Sequence, residues 1–303
     1  MDSNSGVLAD RSDQAHLALR ACRLCPRDCA VDRNVSSHGA FCRLASEAYV
    51  YKELLSLGEE AAISPTWLID VGGCSLRCLF CSEWDHVVAP QSAPAVALSS
   101  AWFAPRLQAM RAKGATSVSF VGGDPTVNLP AIFRVLSDVP LADWLPVVWN
   151  CNGWLSPQAA DLLSGVVSCY IVDAKFGNSA CSQRISGNPD VDERQLLDGV
   201  LRMALEQTRL FPDSLPPLIV RHLLMPGHFA CCTQPVLQWL AQDFPQVPVN
   251  LMTAYVPTGP AAAAKTPRTP ELRHFSAQSD VRAAVQWAKT VTPLLWVDGK
   301  PIN

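Results

Sequence analysis

The chain has 303 residues, of which 49% are hydrophobic and 17% charged; it is long enough to bury a substantial core and too apolar to be a disordered chain. Its formal net charge of −3 gives no long-range pull toward nucleic acid or an anionic membrane, so neither is expected as a partner. The polar, acid-bearing stretch from Met1 to Gln14 lacks the layout of a signal peptide and no run of about 18 apolar residues reads as a membrane span, so a cytoplasmic protein is expected, whose twelve cysteines speak for metal or redox chemistry rather than disulfides.

Ser12 to Ala21 carries leucine and alanine at helical spacing and predicts a short helix. It runs into Cys22-x-x-Cys25-Pro-Arg-Asp-Cys29, with Cys42 following: four cysteines within 21 positions, the count of a tetrahedral thiolate site. Zinc, a second iron-sulfur cluster and a set of reduced thiols all suit this group. A bound metal is favoured, stapling a lobe too small to build its own core. Tyr49 to Pro65 reads as a linker of mixed character. Thr66 to Val71 is apolar and β-branched, a strand that ends at Gly72-Gly73 and leads into a loop bearing Cys74, Cys78 and Cys81.

Ala89 to Pro94 is a Pro/Ser/Ala loop. Beyond it strands and helices alternate: helix 100–113, strand 117–121, helix 128–136, strand 146–149, helix 157–163, strand 166–172, helix 195–210, strand 218–224, helix 234–240, strand 247–252, helix 282–289 and the short strand 294–297. Ala261 to Ala264 lies in a Pro-containing loop. Such alternation predicts parallel βαβ units, and about six strands suit an open or partial barrel. The expected division is a Cys-rich lobe with linker over 1–62 and the α/β domain over 63–303.

Three thiolates in the order CxxxCxxC can hold a four-iron cubane while leaving one iron open to another ligand. A zinc site is the competing reading, with His86 as the fourth ligand. In parallel α/β folds reactive groups gather where strands end, and here polar elements follow strand after strand. Gly122-Gly123-Asp124-Pro125-Thr126 lets backbone approach a ligand closely, and Asp124 either accepts from an ammonium group or caps the next helix. Asn150-Cys151-Asn152-Gly153 favours a turn. Asp173 and Lys175, two apart on a strand end, point the same way and suit an ion pair. Arg221 is able to grip a carboxylate through two parallel hydrogen bonds, or is a solvated strand arginine. Cys151, at a strand end, is a candidate hydrogen-atom donor or a packing thiol; Cys169, Cys181, Cys231 and Cys232 are expected to pack as small hydrophobes.

The cluster loop, with Phe80 before its last cysteine, resembles that of radical S-adenosylmethionine (radical SAM) enzymes. Together with Cys22-x-x-Cys25-Pro-Arg-x-Cys29, Cys42, Ile63-Ser64-Pro65-Thr66, Phe-Val-Gly-Gly-Asp-Pro-Thr, Trp-Asn-Cys-Asn-Gly, Asp173-Ala-Lys175 and Val-Arg-His-Leu-Leu-Met-Pro-Gly, it resembles the pyruvate formate-lyase activating enzyme-like subfamily from about Cys22 to Tyr255. That resemblance implies a partial (β/α)6 barrel of radical SAM type and a [4Fe-4S] cluster on Cys74, Cys78 and Cys81. S-adenosylmethionine would chelate the open iron and be cleaved reductively to methionine and a 5′-deoxyadenosyl radical, which abstracts hydrogen from a small-molecule or peptide substrate. By the same resemblance Gly122, Gly123 and Asp124 meet the methionyl amine, Arg221 its carboxylate, Asp173 and Lys175 lie beside the cofactor, Asn150 and Asn152 belong to the cofactor site, and Phe80 packs near the adenine. A one-electron donor of flavodoxin or ferredoxin type is implied, and the class is oxidoreductase or lyase.

Glycyl-radical activases carry Asp-Thr-Asn-Gly where this chain has Asn150-Cys151-Asn152-Gly153, and the lost acid removes the basis for a monovalent cation site there. They also lack the four N-terminal cysteines. Activation of a partner glycyl-radical enzyme is therefore an alternative function, and a non-catalytic zinc-binding module is an alternative from another class.

Overall fold

The structure is a computed structural model that describes residues 3–263 and 268–302. The last alanine of the predicted Ala261–Ala264 loop lies outside the described residues. In chain order the helices and strands are α1 (Ser3–Ala18), β1 (Tyr49–Ser56), β2 (Thr66–Val71), α2 (Trp84–Val88), β3 (Val96–Ala97), α3 (Ser100–Ala112), β4 (Ser117–Gly122), α4 (Pro125–Ser137), β5 (Val147–Cys151), α5 (Pro157–Leu163), β6 (Cys169–Asp173), α6 (Ser179–Ser186), α7 (Glu193–Glu206), β7 (Leu218–Leu223), α8 (Gln234–Asp243), β8 (Val249–Met252), α9 (Gly259–Ala262), α10 (Gln278–Val291), β9 (Leu295–Val297) and β10 (Lys300–Pro301). The α/β class and its parallel-dominated pairing are those the alternation of strands and helices predicts.

The chain divides into two compact units. One runs up to Ser75 and adds Asp85–Tyr170 and Glu206–Pro217; the other holds Leu76–Trp84, Ile171–Leu205 and the chain from Leu218 onward.

In the first unit β2, β4 and β5 are parallel, with Thr66 beside Ser117, Val71 beside Gly122 and Phe120 beside Trp149. All six residues of β2 are buried, because strands flank it on both sides. Trp67, Phe103 and Phe120 stack in sequence, at centroid distances of 5.3 and 6.2 Å, and Trp149 lies 6.3 Å beyond. Each such ring contributes on the order of 2 kcal/mol of burial. The parallel register sends the segments after β2, β4 and β5 out at one sheet edge, which places Cys74, Gly122–Asp124 and Asn150–Asn152 on the same side of the unit. The sheet ends in the antiparallel strands β1 and β3.

The segment expected as a linker over 49–65 begins instead with a strand: β1 pairs antiparallel with β2 from Val50 opposite Val71 to Ser56 opposite Thr66. Its register shifts between Val50 and Lys52, and Val50 and Tyr51 are buried in succession. That irregularity breaks the alternation of period two by which a half-buried strand is recognised.

In the second unit β7, β8 and β9 are parallel and β10 closes the edge antiparallel to β9. β10 is thus an antiparallel edge of this unit, as β3 is of the first. Helix α6 escapes periodicity because it is short and polar, yet it has clear ends: the Asn178 side chain accepts from the Cys181 N–H, and Gly187 stops the helix at φ +64°.

Candidate functional site

Within the first unit, one hydrogen-bond chain holds the start of the cysteine loop. Asn152 Nδ2 donates to Ser75 Oγ at 2.9 Å and lies 3.5 Å from Cys74 Sγ. Ser75 Oγ in turn donates to Asp124 Oδ2 at 3.0 Å, while Asp124 Oδ1 accepts from the Thr126 N–H as the N-cap of α4. Asn128 Nδ2 ties the Gly72 and Asp124 carbonyls together at 2.9 Å each, and Arg27 Nε donates to the Ser75 carbonyl at 2.7 Å. Cys74, Ser75, Asp124 and Asn152 are all buried. The Asp124 side chain is therefore held in place by the chain's own groups.

The two glycines at the end of β4 are required by the chain itself. Gly122 has φ +104°, and a Cβ at Gly123 would sit 2.0 Å from the Gly73 carbonyl oxygen. At both positions the backbone lies against that of Val71 and Gly73 at the end of β2, closer than a Cβ would allow. Asn150 and Cys151 are buried at the end of β5, and Asn150 Nδ2 has no hydrogen-bond partner among the described residues. Such an orphan donor is a group that a bound molecule would satisfy. His86, considered as a zinc ligand, stacks on Tyr51 at 4.0 Å with Nδ1 3.4 Å from Ser92 Oγ.

Within the second unit, the rest of the cysteine loop is clasped by main-chain bonds. The N–H groups of Arg77 and Leu79 donate to the carbonyls of Ser186 and Ile185 at the end of α6, and that of Ala261 donates to Leu79 O. Thr258 Oγ1 donates to Phe80 O at 2.7 Å. Phe80 meets Phe176 and Tyr255 edge-on, at 6.5 and 6.2 Å. Asp173 and Lys175 form the ion pair their spacing predicts. Arg221 is half-buried, and its carbonyl accepts from Ala174 N at 2.9 Å.

The sulfurs of this loop sit where a thiolate needs a cation. Burial pushes the Cys78 thiol up to about 12, against the pull of Lys175. Burial also raises the Cys81 thiol, opposed by the Glu83 N–H and Lys175. Desolvated thiols are ionised by direct bonding to metal, which deprotonates them outright. The donor set thus fits a thiolate-held cluster: three sulfurs in CxxxCxxC order, one with an amide N–H nearby and two facing an ammonium group.

The four N-terminal cysteines line one cavity in the first unit together with Arg27, Arg33 and Phe41. Arg33 is 2% exposed. Its guanidinium donates to the carbonyls of Leu44, Ala45 and Val127, and Nη1 lies 3.5 Å from Cys22 Sγ. Burial raises the Cys25 and Cys42 thiols, and Arg33 draws Cys42 back down. A buried guanidinium whose nearest ionisable neighbours are thiols is compensated when those thiols are thiolates.

A family model for the Radical SAM superfamily matches residues 68–227, slightly more than half of the chain. The chain belongs to the radical SAM superfamily. Membership implies a [4Fe-4S] cluster and S-adenosylmethionine. This radical SAM chain is 34% identical over 245 residues to the uncharacterized protein MJ0674 of Methanocaldococcus jannaschii, covering 79% of this chain and 67% of the relative. In structure it is similar to SuiB of Streptococcus suis bound to its precursor peptide SuiA, with a TM-score of 0.50 and 11% sequence identity over 71% of this chain. It spans only 43% of that SuiB chain, and the likeness is one of fold.

Sequence reasoning missed three features of this radical SAM chain. Asn152 bonds Ser75, and Arg33 lies beside Cys22; neither contact follows a spacing rule. Cys181, Cys231 and Cys232 pack in an apolar cluster as expected, but they also converge with His228, which was not foreseen. The available signal was His228-Phe-Ala-Cys231-Cys232, which has ligand types but not a familiar metal spacing.

Proposed function

We propose that this chain is a radical SAM enzyme of the pyruvate formate-lyase activating enzyme-like kind. Cys74, Cys78 and Cys81 would hold a [4Fe-4S] cluster with one open iron, and the substrate is a small molecule or a peptide. The supporting observation is the CxxxCxxC loop that follows β2 within the matched residues 68–227, with Cys74 buried and the Cys78 and Cys81 thiols raised by burial. When bound, the cluster and S-adenosylmethionine supply one-electron cleavage of the sulfonium to methionine and a 5′-deoxyadenosyl radical.

The chain's own residues bind and orient. Asp124, braced by Ser75 and Thr126, accepts from the methionyl ammonium beside the Gly122 and Gly123 backbone. Arg221 grips the carboxylate, and Asp173 with Lys175 lies along the cofactor. Phe80, backed by Phe176 and Tyr255, offers a ring face to the adenine. Asn150 directs its unsatisfied amide at the bound cofactor, and Asn152 holds Cys74 in place. Cys151 is the candidate catalytic thiol.

Cys22, Cys25, Cys29 and Cys42, compensated by Arg33, hold a second metal in the segment assigned to a lobe over 1–62 ahead of the catalytic part over 63–303. The same reading carries a flavodoxin- or ferredoxin-type electron donor, oxidoreductase or lyase chemistry and a cytoplasmic setting. No helix among the described residues is long and apolar enough to cross a membrane.

Anaerobic purification tests the reading. The expected protein is brown, bleaches with dithionite, releases 5′-deoxyadenosine from S-adenosylmethionine, and loses about four irons in Cys78→Ala/Cys81→Ala. A colourless zinc protein with the same metal content in both forms would refute it. Unchanged turnover in Cys151→Ala would remove that thiol from the chemistry.

A further inference from the structure

In the second unit a turn of π-helix, Phe229–Thr233, follows β7 and carries Cys231 and Cys232 just after His228. Helix α6 brings Cys181 to the same place from 47 residues away. Gly177, ahead of α6, lies so close to this turn that a Cβ there would meet the Cys231 carbonyl oxygen at 2.5 Å. Asn178 fastens the two segments, donating to Cys231 O at 2.8 Å and accepting from the Cys181 N–H at 2.9 Å. Turns of π-helix concentrate at functional positions because they widen the helix and re-aim side chains.

We propose that Cys181, His228, Cys231 and Cys232 form a closed tetrahedral site for one divalent transition-metal ion of the zinc class. Their ligand atoms all lie within 4.8 Å of one another. Cys231 Sγ is 3.9 Å from both Cys181 Sγ and Cys232 Sγ. His228 Nδ1 is 3.7, 3.3 and 3.6 Å from the sulfurs of Cys181, Cys231 and Cys232. A tetrahedral ion with Zn–S of about 2.3 Å and Zn–N of about 2.05 Å sets its sulfurs about 3.8 Å apart and its nitrogen about 3.5 Å from each sulfur. Five of the six edges of that tetrahedron are already present, and the sixth, Cys181 Sγ to Cys232 Sγ, is within 4.8 Å. They are far too long for disulfides, whose S–S bond is about 2.05 Å.

The surroundings suit a metal-bound imidazole. Glu271 Oε1 lies 3.2 Å from His228 Nε2, and Arg184 Nη1 lies 2.8 Å from the same carboxylate oxygen. Arg184 Nη2 is also 3.4 Å from Nε2, the longer of the two approaches. Donation of Nε2–H to Glu271 leaves the Nδ1 lone pair aimed at the three sulfurs, the carboxylate–histidine–metal arrangement that orients a ligand. Three thiolates and a neutral imidazole are a soft set that selects zinc over hard cations, and four protein ligands leave no open position, so the ion is structural.

Its mechanical consequence is local. The far end of α6 offers the Ile185 and Ser186 carbonyls to the Leu79 and Arg77 N–H groups, so a metal pinning Cys181 to the π-turn steadies the segment that carries Cys78 and Cys81.

Metal analysis of the full chain tests the site. Wild type is expected to hold one more zinc equivalent than Cys181→Ser/Cys231→Ser, while Cys22→Ser/Cys25→Ser keeps this ion. A folded double variant with undiminished zinc would overturn the proposal. Wild-type protein gives a readout that no variant's folding affects: peptide-resolved alkylation before and after chelator treatment. Cys231, only partly buried, should be protected until the chelator is added; equal labelling in both states, or a mapped Cys181–Cys231 disulfide in anaerobically purified protein, would also overturn it.

Discussion

Asn152 donates its amide N–H to the hydroxyl of Ser75 across 77 positions of sequence. The same nitrogen reaches Cys74 Sγ, and Ser75 passes the bond on to Asp124. One side chain after β5 thereby ties together the first cysteine of the CxxxCxxC loop and the acid that caps α4.

Asn152→Ala should cost about 1–3 kcal/mol in denaturant unfolding, because the Trp154 N–H and Ser75 hydroxyl lose a buried partner. It should also lower the midpoint potential of the reconstituted cluster, since an N–H directed at a ligating sulfur favours the reduced, more negative state. An anaerobic redox titration followed by paramagnetic resonance measures this; an unmoved potential would leave Asn152 a purely structural role.

Gly123→Ala and Gly199→Ala should move stability in opposite directions. At Gly123 the new methyl would stand 2.0 Å from the fixed Gly73 carbonyl, whereas at Gly199, within α7, nothing lies within 4 Å. The first should lose more than ~2 kcal/mol, and the second should gain ~0.5–1 kcal/mol from helix propensity. Urea midpoints of the two variants decide it.

Arg33→Met should strip metal from Cys22, Cys25, Cys29 and Cys42 and destabilise the first unit by roughly 3 kcal/mol or more, since the carbonyls of buried Leu44 and Val127 and of half-buried Ala45 lose their donor along with the thiolates' cation. Arg33→Lys should not restore it, because an ammonium cannot bridge the divergent carbonyls as the planar fork does. Metal content and thermal midpoint report the two effects; full metal in Arg33→Met would show that the cysteines do not depend on this charge.

His222 should make stability fall in mild acid. It is buried, with Nδ1 2.6 Å from Ala174 O and Nε2 2.9 Å from Thr233 Oγ1. Burial depresses it to about 4, against the pull of the Ala174 carbonyl. Between pH 6.5 and 4 the unfolded chain binds the proton that the folded chain refuses, so the contribution is complete above 6.5 and is lost as pH falls through that window. The full loss is roughly 3 kcal/mol. Unfolding free energies across the window should slope less in His222→Gln; an identical slope would assign the acid sensitivity elsewhere.

What the sequence by itself determined is local in origin. The CxxxCxxC spacing, the apolar run of β2, the Gly-Gly-Asp ending of β4 and the Asp173–Lys175 pair each follow from neighbours a few positions apart, where periodicity and ligand spacing act. Asp124 as helix cap was equally readable, since a cap contacts its own next residues. β1 was hidden because its bulge erased the alternation, and α6 because its signal is in its ends.

Tertiary structure alone decided which distant side chains meet: Asn152 with Ser75, Arg33 with the Val127 carbonyl 94 positions away, and Cys181 with His228 47 positions away. The physical reason is that a buried polar group must find its partner wherever the packed strands and helices put one. That place is set by the register of the whole fold and not by any stretch of chain short enough to carry a pattern.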